Sequence, residues 1–149
     1  MATAETAQLG DAHAPKEASL QLYDELEHEL KRVLIHERHD KAKHDLPYFA
    51  AAAHLSDADF VSFQKSDFEL VRHAQVAYGH ILFGKLKIPA LAADSQNCYI
   101  HFRAYEPEPG TEAKAEVHSI HTERIEEPDG GFRYRALFTK EDPLEWFDT

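Results

Sequence analysis

The chain has 149 residues and a formal net charge of −11, with a pI near 5.4. The length fits one domain, and the negative balance argues against a general nucleic-acid binder and against an acidic partner surface, since either would call for concentrated Lys and Arg. The lone Cys98 excludes an internal disulfide, the start Met1-Ala-Thr-Ala-Glu-Thr has no basic and apolar leader pattern, and no stretch approaches the about twenty apolar residues of a membrane span. A cytoplasmic protein with neither a nucleic-acid nor a membrane partner is therefore expected.

Residues 1–15 are rich in Ala, Thr, Gln, Gly and Asp, have little to bury and end at Pro15, so they read as a flexible tail before a single α+β domain over 16–149. Leu20, Tyr23, Leu26, Leu30, Val33 and Leu34 then recur at spacings of three or four. With Glu27 and Lys31 as an i,i+4 pair, this predicts an amphipathic helix over residues 17–39. The charged run His39 to Asp45 ends before Pro47, which disfavours α geometry at the residue preceding it, so a break falls there. The stretch from Pro47 to His54 suits a short buried helix, and Ser56-x-x-Asp59 offers a capping-box-like restart.

From Ser66 to Ile88 two readings stand side by side. Phe68, Val71, Gln75, Tyr78 and Leu82 share a helical face, with Ser66 as N-cap and Gly84 just past the C-terminus. Alternatively, Phe68 to Val76 and His80 to Ile88 are strands folded about Ala77-Tyr78-Gly79, with Gly79 supplying positive φ.

Beyond Cys98 the pattern is strand throughout. Cys98 to Tyr105 alternates and stops at Glu106-Pro-Glu-Pro-Gly110, Glu116 to Ile125 stops at Pro128-Asp-Gly-Gly131, and Phe132 to Phe138 follows. These read as three consecutive strands of an antiparallel meander. The expected fold is α+β, with N-terminal helices packed on a four- to five-stranded antiparallel sheet.

The order of these signals resembles the cystatin family. Leu46-Pro-Tyr-Phe49-Ala-Ala is similar to the Leu-Ala-Arg-Phe-Ala helix signature of plant cystatins, and Gln75-Val-Ala-Tyr-Gly79 follows where the family has Gln-x-Val-x-Gly. Cys98-Tyr-Ile-His-Phe-Arg-Ala-Tyr-Glu-Pro107 is similar to the stefin strand that leads into the second inhibitory loop, so that the likeness covers about residues 46 to 126. The resemblance implies a reversible, non-enzymatic inhibitor of papain-like cysteine proteases that acts by occlusion. Its wedge would combine an N-terminal segment, the loop Gln75, Val76, Ala77, Tyr78 and Gly79, and the loop Pro107, Glu108, Pro109 and Gly110. Ala77 stands where the motif has Val, no Trp follows Pro107, and Gly10 can be the family's N-terminal glycine only if the helix from residue 17 is the family's helix.

Two other classes of function are open at this stage. A small enzyme or ligand-binding protein would use a pocket between helix and sheet, with His101, His118, Tyr99 and Tyr105 as acid–base candidates. A subunit of a larger assembly would dock through the first helix, the acidic tail or the run Leu144-Glu-Trp-Phe147, whose aromatics could equally close the domain's own core. No cofactor is expected. Eleven histidines include the trio His36, His39 and His44, which reads as a cationic helix end. His118 and His121, three apart on one strand, are expected to face opposite ways, so no metal site is expected there either. Cys98 reads as a small buried hydrophobe.

Overall fold

The computed structural model describes residues 8–148. α1 spans Glu17–Lys43 and buries Leu22, Tyr23, Leu26, Leu30 and Leu34, one apolar stripe at spacings of three and four. It runs past the expected end at residue 39. Lys41 and Lys43 lie in its last turn and Glu17 in its first, each with the sign the helix dipole favours. Asp45 then takes a positive φ of 57° and Leu46 N donates back to Lys41 O, so the chain has already turned when it reaches Pro47.

Residues 44–67 form an irregular layer beside α1. Pro47–Ala52 is a 3₁₀ helix, and Ser56 Oγ accepts from Asp59 N at 3.1 Å to start α2, the single turn Asp57–Phe60. Arg38 of α1 ties the layer down by donating to Leu55 O at 2.9 Å and bonding Asp57. The helix that packs on the sheet is thus α1. The segment resembling the cystatin helix signature, Leu46 to Ala51, is a separate 3₁₀ turn too short to present an apolar stripe along the sheet.

Residues 68–87 fold as the hairpin. β1, Phe68–Val76, pairs antiparallel with β2, Gly79–Lys87; the one-turn α3, Pro89–Ala92, leads on to β3, Tyr99–Pro107, and β4, Glu116–Ile120, completes a meander in the order β1-β2-β3-β4. Gly84 is not a helix terminus. A Cβ there would lie 2.4 Å from Phe102 Cε1 and 2.9 Å from Phe68 Cε1, so its bare backbone makes room for two core rings.

The expected strand Glu116 to Ile125, second of the three read beyond Cys98, is broken. β4 ends at Ile120, and β5, Glu123–Glu126, pairs instead with β6, Phe132–Arg135, as a separate two-stranded sheet. β6 is therefore outside the meander, and Phe138 makes only an isolated bridge to Tyr99. The stretch expected as a tail also pairs from Leu9 onward: Leu9 bridges Ala74 and His13 bridges Val71, antiparallel to β1. Residues 1–7 lie outside the described residues.

The sheet has two covered faces. On the inner face, Phe68, Val71, Leu82, Leu86, Ile100, Phe102 and Ile120 meet the α1 stripe in one buried cluster. Across the outer face runs a C-terminal strap, residues 138–148, whose Leu144 and Phe147 are buried against Ile81 and Phe83. Among the described residues no helix is long and apolar enough to cross a membrane.

Candidate functional site

The alternation that builds β1–β2 and β3–β4 carries both hairpin loops to one end of the sheet. In the first, Ala77 and Tyr78 connect Val76 to its partner Gly79; in the second, residues 108–115 follow Pro107, which is itself the partner of Gly79. The two loops are bonded together. Tyr78 O accepts from Tyr105 Oη at 2.7 Å and from Glu108 N at 3.2 Å. Gly79 sits at φ 152°, where a Cβ would lie 2.1 Å from Glu106 O, so only glycine allows this approach. The Tyr78 ring projects from the tip and is 77% exposed, the largest exposure of any big apolar side chain described. Gln75, Ala77, Glu108, Pro109 and Gly110 are exposed beside it, while Val76 and Pro107 are half-buried and Gly79 is covered.

The N-terminal segment arrives at the same end. Because it runs antiparallel to β1, with Gly10 N donating to His73 O at 2.8 Å, its earlier residues lead toward the first loop. An open hollow of about 510 Å³ lies there, lined by Gln8, Leu9, Gly10, Asp11, His73, Gln75 and His80. The His13, His73 and His80 rings follow one another at 6.0 and 5.9 Å, and burial together with its two neighbours holds the His73 pKa below the usual value. Burial raises the Glu106 carboxyl, with His80 3.7 Å away opposing it. The end of the sheet thus offers a glycine-fixed aromatic tip, a second loop bonded to it at Glu108, and an adjoining N-terminal segment bridged to β1.

The other sequence candidates are placed elsewhere. His39 bonds Asp57, which that bond and Arg38 hold below the usual carboxylate range, and His44 Nδ1 lies 2.9 Å from Asp40 O. Among the described residues no three His, Cys, Asp or Glu side chains are arranged to hold a metal ion. His118 and His121 point to the same, outer face, against expectation. A register shift between Arg103 and Ala104 inserts an extra residue into β4, so His118 accepts from Arg103 Nε at 3.2 Å while His121 stacks on Phe147.

His101 is buried under Phe138, and Tyr99 donates to Glu69, so the acid–base candidates do not converge on an open cleft. The space between α1 and the sheet is filled by buried Leu26, Leu30, Leu34, Phe68 and Phe102. Cys98 is buried and its thiol pKa raised by burial. A second open hollow, of about 430 Å³, lies at the end of α1 among Ala42, Leu46, Pro47, Phe49 and Leu55, and of the cations lining it Arg38 is bonded to Asp57 and Lys41 lies 3.4 Å from Glu37. Leu144 and Phe147 close the domain's own core and are not a free docking run.

The strap's hold on the outer face had no signal in sequence. Three cations from three strands donate to its backbone: Lys85 Nζ to Lys140 O and Asp142 O at 2.9 and 2.6 Å, Arg72 to Leu144 O at 2.8 Å, and Arg103 to Phe147 O at 2.9 Å. No protein-family model matches the chain, and no curated protein matches it.

Proposed function

We propose that the chain is a non-enzymatic binding protein that inserts this end of the sheet into a partner's cleft, as a cystatin-like reversible inhibitor of a papain-like cysteine protease. The observation that carries the reading is the junction of the loops: Tyr78 O takes hydrogen bonds from both Tyr105 and Glu108, so the exposed Tyr78 tip and the 108–115 loop form one body. A body fixed before binding loses little conformational freedom on docking, and an exposed aromatic anchor is the side chain best suited to fill a cleft. The N-terminal segment, led to the same end by its pairing with β1, supplies the third part of the wedge. Occlusion needs no cofactor and no catalytic residue.

The test is titration of papain with the purified protein, read by hydrolysis of a fluorogenic peptide. Inhibition is expected at micromolar concentration or below, and Tyr78→Ala should weaken it by about tenfold or more, the range of an aromatic anchor. Phe132→Ala, which removes the other large exposed ring, 48% exposed on β6, should leave inhibition unchanged. No inhibition at about 10 μM, or inhibition indifferent to Tyr78→Ala and to Gly79→Glu, would overturn the proposal.

A further inference from the structure

The outer face of the sheet carries a device that the docking reading does not use. Four rings cluster there, His101 of β3, Phe138 of the strap, His121 beyond β4, and Phe147 of the strap, with the two imidazoles themselves 6.3 Å apart. Their successive centroids are 4.2, 5.2 and 4.2 Å apart, with planes within 6°, 17° and 3° of parallel. His101 is 1% exposed, and its Nε2 and the Nδ1 of His121 are buried without a hydrogen-bond partner. Buried polar atoms normally find partners, so two orphaned imidazole nitrogens in one stack are unusual.

We propose that the strap, residues 138–148, is a proton-operated clasp, closed on the outer face while His101 and His121 are neutral and lifted when they take up protons.

The charges around the stack set the direction. Lys85 of β2 and Arg135 of β6 face His101, and Arg135 also faces His121; on the other side stand Asp142 and Glu145 of the strap and Glu123 of β5, whose Oε1 is 3.6 Å from His121 Nε2. Burial, Lys85 and His121 together push His101 down to about 3, and burial lowers His121 with Glu123 opposing. The closed strap therefore binds these protons more weakly than the lifted one. Above the ordinary histidine value near 6.5 neither form is protonated and closure is undisturbed. Below it only the lifted form gains a proton on His101, so the equilibrium moves toward opening by about tenfold per pH unit, with His121 adding to the slope. Phenyl faces attract an imidazolium, but a stack that also abuts Lys85 leaves the new charge without a paired acceptor on His101.

Trp146, the chain's single tryptophan, lies in the strap with its ring 5.2 Å from Phe83 and 5.0 Å from the Arg103 guanidinium, and so reports the clasp directly. The experiment follows its emission and acrylamide quenching from about pH 7.5 to about pH 4.5, with far-UV circular dichroism in parallel. The expected result is a red shift and greater quenching below about pH 6 while the dichroism of helix and sheet persists. His101→Phe should move the transition to lower pH. A constant Trp146 signal, its loss only together with the dichroism, or a transition that moves with Asp142→Asn and not with His101→Phe or His121→Phe would overturn the proposal. Should the His101 variant not fold, proton NMR of the unaltered chain decides: a His101 ring that titrates with the Trp146 transition supports the clasp, and one that stays neutral through it refutes it.

Discussion

The two faces of one sheet are covered in opposite ways. On the inner face α1 is held mainly by apolar packing, with Leu26, Leu30 and Leu34 buried against Phe68, Leu86 and Phe102, and Glu29 adds one hydrogen bond by accepting from Val117 N of β4 at 3.0 Å. On the outer face the strap is held through its backbone, its carbonyls accepting from Lys85, Arg72 and Arg103, and through alternating histidine and phenylalanine rings. Apolar burial has no protonation equilibrium of its own, whereas a face built from buried cations and imidazoles does. The inner face makes the domain; the outer face is conditional.

The largest effect should come from opening the inner face. Phe102→Ala removes a fully buried ring that fills the space left by Gly84, and is expected to cost about 3–5 kcal/mol in denaturant unfolding. A loss below about 1 kcal/mol would show that the inner face is not the dominant core. On the outer face, Lys85→Met keeps the stem but leaves Lys140 O and Asp142 O without their donor, an expected loss of about 1–3 kcal/mol. Its distinguishing mark is location: Trp146 emission should change while the helix signal is retained.

Acid should separate the faces further. His101 titrates below its ordinary value while the strap is closed, so its contribution to the closed fold is complete above about pH 6.5 and shrinks as pH falls from there toward 3. At about pH 5.5 the closed fold should have dropped about tenfold against the unfolded chain from this group alone, which sets the upper limit of the shift in the denaturant midpoint. Lys85 is one cause of the depressed value, so Lys85→Met should shrink that acid loss even while it lowers stability at neutral pH. An unchanged pH slope in the variant would break the link between them.

The inner face was legible in sequence and the outer face was not, for a physical reason. The α1 stripe and the alternation of β1 to β3 are periodic signals of apolar burial, and Gly79 and Pro107 to Gly110 mark turns that only certain residues allow. Even there two readings competed, because Phe68, Val71, Gln75, Tyr78 and Leu82 share a helical face while Phe68 to Val76 and His80 to Ile88 also read as strands about Ala77-Tyr78-Gly79. Partners distant in sequence settle it: β3 flanks β2 along its whole length, and the Phe102 ring needs the bare backbone of Gly84. The strap is aperiodic and is held by carbonyls, which every residue carries, so nothing in Leu144 to Phe147 announces its three cationic partners. The extra residue in β4 that turns His118 and His121 to one face is equally silent, because it follows from the register against Arg103. At the loop end the turn residues were legible because they are chemically constrained, but whether Gly79 closed a hairpin was settled only by β3.

The smallest predicted effect tests whether charge matters wherever it is found or only where it is buried. Lys65 Nζ and Asp24 Oδ2 are 2.9 Å apart, closer than many pairs that matter, yet their side chains are 47% and 55% exposed. Water screens such a pair and ordering two long side chains opposes it, so Lys65→Ala should change stability by no more than about 0.5 kcal/mol. Lys85 makes bonds of similar length from a site 1% exposed, where the same ammonium has no water to fall back on. If Lys65→Ala proved as costly as Lys85→Met, bond length and not burial would set the value of these cations, and the contrast between a sheet face closed by packing and one closed by buried charge would lose its basis.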